Sequence, residues 1–226
     1  LRPKAMVNRK NFFRRRSTSS IGGGASADGE YPTRKLVIVG DGTCGKTSLL
    51  FAFTRDEFYE AYVPTIFETS IVDMEIRPGK VIALSLWDTA GQEAYARLRP
   101  LSYTDTHVIL ICFAMDSRDS FNNVRDTWYP EVRHYCPRAA LLLVGCKNDL
   151  ASSAADCVTR DEVEKLADNI GATSHFLCSA KTRENVTEVF ETAADVAYEA
   201  GRKKSKISSR LGACFGRRSR KKTEKA

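Results

Sequence analysis

The sequence predicts an α/β fold: a six-stranded, mostly parallel sheet with helices on both faces. Three observations carry this. Apolar runs such as Val108–Ala114 and Ala140–Cys146 are continuous rather than alternating, the pattern of strands buried on both sides. Segments of helical period separate these runs. A single hairpin signal, Arg77-Pro78-Gly79-Lys80, allows one antiparallel strand.

Each element follows from its own residues. Lys35–Val39 is a short buried strand, and Gly45–Thr54 is helical. Ser70–Ile76 and Val81–Trp87 are strands flanking the Pro-Gly turn. Val108–Ala114 is a strand bounded by turns. Ser120–Tyr135 reads as a helix that Pro130 should break. Ala140–Cys146 is another buried strand. Thr159, with Glu162 three residues later, forms a capping box that opens a helix to about Asn169. His175–Cys178 is a short strand. Thr182–Ala200 is an amphipathic helix with Val186, Val189, Phe190, Ala193, Val196 and Ala197 on one face.

Charge divides the 226 residues into three parts. Residues 1–35 carry nine Lys/Arg against two acids, and residues 201–226 carry eleven against one. Fifteen basic and twenty-five acidic residues remain over 36–200, a net charge of about −10 beneath an overall +7. The expected organisation is a disordered basic leader over 1–34, a folded domain over 35–200 and a polybasic tail over 201–226. The leader is also rich in Arg and Ser and free of acids to residue 27, so an organelle transit peptide is a rival reading. No apolar run approaches the ~20 residues needed to span a bilayer. Seven cysteines without paired spacing or a CxxC argue for a reducing compartment and against disulfides or zinc.

Four stretches carry chemistry. Gly40-Asp41-Gly42-Thr43-Cys44-Gly45-Lys46-Thr47 fits G-x-x-x-x-G-K-[ST] between a strand and a helix. Its backbone N–H groups would cradle phosphate oxygens, Lys46 would reach the β and γ phosphates, and the Thr47 hydroxyl would ligate Mg²⁺. Asp88 ends the third strand, where an acid can hold a Mg²⁺-bound water. Beside it, the Gly91 N–H can approach a γ phosphate and the Gln92 amide can orient a water. Thr65, in the 61–69 stretch, would offer its hydroxyl to Mg²⁺ only when that loop is held inward; a solvent-facing linker is the plainer alternative. Finally, Asp149 could accept two hydrogen bonds from the N1 and N2 edge of guanine, a pair of donors adenine lacks. The Lys147 stem would lie against the base and the Ala180 N–H would meet the guanine oxygen. Lys147-x-Asp149 alone reads as a polar strand end; Ser179-Ala180-Lys181 at the next strand end changes that.

In this order the stretches resemble the Ras superfamily of small GTPases, with its P-loop NTPase fold. "GDGTCGKTSLL", "YVPTIFET", "WDTAGQEAYARLRPLSY" and "W-Y-PEVRHYCP" look like the Rho/Rac branch, over about Lys35 to Ala200. Carried over by position, the resemblance implies Gly40, Asp41, Gly42, Thr43, Cys44, Gly45, Lys46, Thr47 and Ser48 around the phosphates. It implies Phe58 against the guanine, Tyr62 and Thr65 in a first switch loop, and Asp88, Gly91 and Gln92 in a second. It implies Cys146, Lys147, Asp149, Leu150, Ser179, Ala180 and Lys181 around the base. Thr47, Thr65 and Asp88 would be metal ligands, and Gln92, Gly42 and Lys46 would act in hydrolysis.

The implied function is a GTP/GDP-cycling switch with Mg²⁺, slow intrinsic GTP hydrolysis and stimulation by an activating protein's arginine. Exchange factors, activating proteins and effectors would read the switch loops and signal to the cytoskeleton, polarity or membrane traffic. A non-cycling GTP-bound scaffold and an ATP-dependent P-loop kinase are the competing classes. The protein would be a cytoplasmic monomer, peripheral at membranes through its basic tails. Nucleic acid is not an expected partner, because the tails hold few aromatics and the globule is acidic. Several features depart from the Rho pattern. Cys146 replaces the usual Asn or Thr, and Thr43 replaces alanine; both suggest looser nucleotide retention. The stretch from Asp149 to Ser179 looks too short for the extra Rho helix. The sequence ends Thr223-Glu224-Lys225-Ala226 without a C-a-a-X box, so prenylation is not expected. Cys214 beside Phe215 is a candidate palmitoylation site, against which a solvated or nuclear-targeting tail remains open.

Overall fold

The computed structural model describes residues 13–16, 31–58, 67–151 and 157–219, with side chains described between 31 and 202. Seven strands form one sheet: β1 (Phe13–Arg16), β2 (Thr33–Gly40), β3 (Phe67–Arg77), β4 (Lys80–Thr89), β5 (Val108–Ala114), β6 (Ala140–Cys146) and β7 (Ser174–Leu177). Their order is β1-β3-β4-β2-β5-β6-β7. β4, β2, β5, β6 and β7 are mutually parallel. β3 pairs antiparallel with β4 through the Pro-Gly turn, as its signal required.

The six expected strands are all present, and the leader adds a seventh. Phe13–Arg16 pairs antiparallel with Ile71–Met74 on the outer edge of β3. The expectation of a leader without structure is therefore corrected for these four residues.

Helices cover both faces. On one, α1 (Lys46–Arg55) and α5 (Val186–Ser219) pack Leu49, Leu50, Val189, Phe190 and Ala193 onto Leu36, Ile38, Leu84 and Leu86. On the other, α2 (Arg118–Asn123), α3 (Tyr129–Tyr135), the Val124–Trp128 turn between them and α4 (Arg160–Ile170) bring Val124, Trp128, Val132, Val163 and Ile170 to Val37, Val39, Ile109 and Ile111. The central strands β2 and β5 have almost no exposed residues on either side, which is why they read as unbroken apolar runs.

Three boundaries differ from expectation. Pro130 does not interrupt its helix: Val124–Trp128 widens into a π turn, and Pro130 falls in the first turn of α3, where a missing N–H costs nothing. α5 starts at Val186 rather than Thr182 because Arg183 and Asn185 are left-handed, with φ of 68° and 55°. α5 then continues to Ser219, so much of the expected tail is helical. Between Leu150 and Arg160 only residues 151 and 157–159 are described, and they hold no further helix; the rest of the expected short insert lies outside the described residues. Among the described residues no helix is long and apolar enough to cross a membrane.

The topology fixes where a ligand can sit. The chain leaves β2 for β3 and β4 on one side and crosses from β4 to β5 on the other, so the carboxyl end of β2 is the point where strand order reverses.

Candidate functional site

The loop after β2 folds back on itself. Lys46, buried at the start of α1, donates from Nζ to the carbonyls of Gly40 at 2.8 Å and Asp41 at 2.6 Å. Next to it, the Thr47 hydroxyl donates to Oδ2 of Asp88 at 2.5 Å, joining the start of α1 to the end of β4. Asp88 is fully buried, and its Oδ1 has no hydrogen-bond partner. Burial lifts its carboxyl to about 6, against the lowering effects of the Thr47 hydrogen bond and the Lys46 charge.

The segment after β4 lies directly on this loop. A Cβ at Gly91 would fall 2.4 Å from the Gly40 oxygen and 2.4 Å from the Gly42 nitrogen, so only glycine permits the approach. Gln92 follows, its Cγ 3.6 Å from where a Gly42 Cβ would stand. The Asp41 carboxylate accepts from Trp128 Nε1 at 2.6 Å and Asn123 Nδ2 at 2.8 Å, anchoring the loop to the π turn. Arg99 stacks over Trp128 at 4.4 Å, donates to the Ala90 carbonyl at 2.7 Å and pairs with Glu131 at 2.7 Å. Trp128, Asn123 and Arg99 thus brace both loops, a role the sequence reading did not assign them. The buried Trp at the helix midpoint was their only local sign.

A second group forms at the ends of β6 and β7. Asp149 Oδ1 accepts from the buried Ser179 hydroxyl at 2.6 Å, and Ser179 Oγ also accepts from the Thr182 N–H at 3.1 Å. Lys147 is left-handed, with φ 59°, and its Nζ lies 3.7 Å from Asp116. Ala180 and Lys181 follow Ser179, and Leu150 is exposed beside Asp149. Arg183 reaches Asp56 at 3.5 Å, linking this group to the residues before Phe58, which is half-buried. Tyr62 and Thr65 lie outside the described residues.

Gly45 joins the two groups. A Cβ there would sit 3.2 Å from Cys146 Cβ, 3.8 Å from its Sγ and 3.9 Å from Lys147 Cγ. The Cys146 thiol is buried in the core among those of Cys112 and Cys178. Interaction with Cys146, and then burial, holds the Cys112 and Cys178 thiols well above their ordinary range. Burial pushes Cys44 to about 12. Thr43 is exposed and left-handed, with φ 62°, and Ser48 is half-buried in the first turn of α1. No cluster of three or more His, Cys, Asp and Glu able to hold a metal occurs among the described residues.

The Ras family model matches residues 35–199. The chain belongs to the Ras family. Within it, the chain is 51% identical over 186 residues to "GTP-binding protein rho1" of Schizosaccharomyces pombe, covering 78% of this chain and 92% of that protein. It is a Rho-like small GTPase, a molecular switch that hydrolyses GTP, and this similarity favours the cycling switch over a non-cycling scaffold. The matched span coincides with the six core strands. β1 and the far end of α5 lie beyond it.

Proposed function

We propose that this GTPase binds GTP and GDP with Mg²⁺ along the rim formed by the loops after β2, β4, β6 and β7, and that its nucleotide state sets the shape of the 61–66 and 90–95 segments. The observation that carries the reading is the meeting of the Thr47 hydroxyl with the Asp88 carboxylate beside a buried Lys46. The donor set suits the metal. Hydroxyl and carboxylate are hard oxygen ligands, and the unpartnered Asp88 oxygen is a buried acceptor that a cation or its bound water would satisfy. Thr47, Asp88 and, from the first switch, Thr65 are the residues that would hold it. When bound, Mg²⁺ neutralises charge on the β and γ phosphates.

The protein's own groups do the rest. Lys46 exchanges its two carbonyl acceptors for phosphate oxygens, with the N–H groups of 42–48 around them. Gln92, carried on the Gly91 backbone against the loop, orients the attacking water. Asp149, held in place by Ser179, accepts from the guanine edge, with Lys147, Phe58 and Leu150 flanking the base and the 180–181 backbone near its oxygen. Thr65 and Gly91 contact the γ phosphate, so its loss releases both segments. Exchange factors, activating proteins and effectors read that change, and an arginine supplied in trans raises turnover by roughly 10³–10⁵. The basic tails hold the protein at an anionic membrane surface, with Cys214 as an acylation site.

The deciding experiment identifies the nucleotide retained on purification and follows single-turnover GTP hydrolysis with and without a Rho-type activating protein. Bound guanine nucleotide and stimulated turnover support the reading. Preference for ATP would overturn the base assignment.

A further inference from the structure

The amino ends of β2 and β4 form the pole opposite the phosphate loop, because the two strands run parallel. There Arg34, Lys80 and Arg202 gather round one ring, that of Tyr198, at 5.9, 4.7 and 5.7 Å from its centroid. Arg77 stands beside them, 3.2 Å from Glu199, which Arg202 also approaches at 3.3 Å. One carboxylate is thus shared between two of the four cations. Among the described residues, Arg34 and Lys80 meet no carboxylate, and the buried Nε of Arg34 has no acceptor. Lys80, the nearest of the three to the ring, draws the Tyr198 hydroxyl below its ordinary range.

Gly201 makes room for this. It lies inside α5, where glycine costs helix stability relative to alanine. A Cβ there would fall 2.3 Å from Arg34 Nε and 2.5 Å from its Cζ, so the glycine is the notch that seats the guanidinium. From this notch α5 runs directly into Lys203, Lys204, Lys206 and Arg210. The helix after Arg202 extends for roughly 25 Å at ~1.5 Å per residue.

We propose that this pole seats the phosphate of an anionic lipid headgroup, so that the globule rests on the bilayer with its nucleotide rim turned away. Guanidinium forks match phosphate oxygens, and an unbalanced cluster of cations is relieved by an anion. Continuity with a long basic helix favours an extended anionic surface over a single dissolved ion. The inference rests on the membrane reading above and adds the folded domain to it.

The test is co-sedimentation of the full chain with phosphatidylcholine vesicles, with and without about 30% phosphatidylserine, where each basic residue near the surface contributes several-fold in affinity. The wild type should bind the anionic vesicles only. Arg34→Gln with Lys80→Gln should weaken binding roughly twentyfold, leaving GTP hydrolysis unchanged as the check on folding. Gly201→Ala keeps the net charge but displaces Arg34, and should weaken binding roughly threefold. Variants that bind like the wild type would overturn the pole's role and leave the tail reading standing. A wild type that ignores phosphatidylserine would overturn both. Inorganic phosphate bound in solution as tightly as the vesicles would overturn the assignment to a lipid surface.

Discussion

On the phosphate side of the rim, Lys46 closes on carbonyls five and six residues earlier in the chain; on the base side, Asp149 meets Ser179 across 30 residues. The first half is buried and braced from behind by Trp128 and Arg99. The second is exposed at Asp149 and Leu150 and is tied between the ends of neighbouring strands by Ser179 on Asp149 and by Asn148 on Cys178 and Glu184. A site built from sequence neighbours binds what many nucleotides share. A site built from distant strand ends distinguishes one base from another, because its donors and acceptors are set independently of the phosphate cradle. Affinity and selectivity should therefore separate under mutation.

The largest expected effect is on selectivity. An acceptor that the base covers on binding, and that the wrong base leaves unpaired, discriminates by roughly 10⁴. Asp149→Asn should cut the preference for guanine over adenine nucleotides by at least about a hundredfold in a competition assay, with the phosphate cradle intact. An unchanged preference would mean that Asp149 does not read the base. Next comes affinity. Lys46→Ala removes a charge-assisted contact worth roughly 1.5–3 kcal/mol, so GDP should bind on the order of ten- to a hundredfold more weakly. The guanine-to-adenine ratio should stay where it was; a change in that ratio would show that the halves are coupled and the comparison fails.

The same difference explains what was legible in the sequence. Gly40–Thr47 could be read from one contiguous pattern because its geometry is local: a strand end, a turn and a helix start. The buried strands were legible because continuous apolar residues have few other uses, and Val108–Ala114 and Ala140–Cys146 have the bounds expected. The base side emerged only when two strand ends were considered together. The Asp41–Trp128 and Arg99–Glu131 contacts were hidden because nothing in the spacing of a Trp, an Arg and an Asp indicates that the fold brings them together. The strand at Phe13–Arg16 escaped because its pairing with Ile71–Met74 depends on an open sheet edge, a property of the folded sheet rather than of those four residues. Pro130 misled because a π turn absorbs what a regular helix cannot.

Cys146 sits where the two halves touch, against Gly45, and its thiol is only a weak donor and acceptor across that contact. An asparagine there would supply a strong donor and acceptor between β6 and the phosphate loop. One such hydrogen bond is worth about 1 kcal/mol, so Cys146→Asn should slow GDP release roughly fivefold. Equal release rates in a fluorescent-nucleotide chase would mean that neighbouring backbone already ties the halves together.

The smallest effect concerns the footing of the base side. α4 opens on the Thr159–Glu162 capping box, and Arg118 joins Glu162 to the Cys157 carbonyl just beyond the Asp149 segment. The Arg118 hydrogen bond first, then those from the Thr159 backbone and hydroxyl, hold Glu162 down at about 2. A carboxylate lowered on folding contributes stability above its unfolded value of 4.5, and that contribution is lost as the pH falls toward about 2. The pair is exposed and screened, so Glu162→Gln should cost under about 1 kcal/mol near neutral pH. Thermal melts of the wild type and the variant should differ slightly at pH 6 and converge as the pH falls to about 2. The phosphate half gains nothing from these groups, so Lys46-dependent GDP affinity should be the same in both proteins at neutral pH. If Glu162→Gln weakened GDP binding as much as it weakened α4, the two halves would share one support, and the separation drawn from their geometry would not hold.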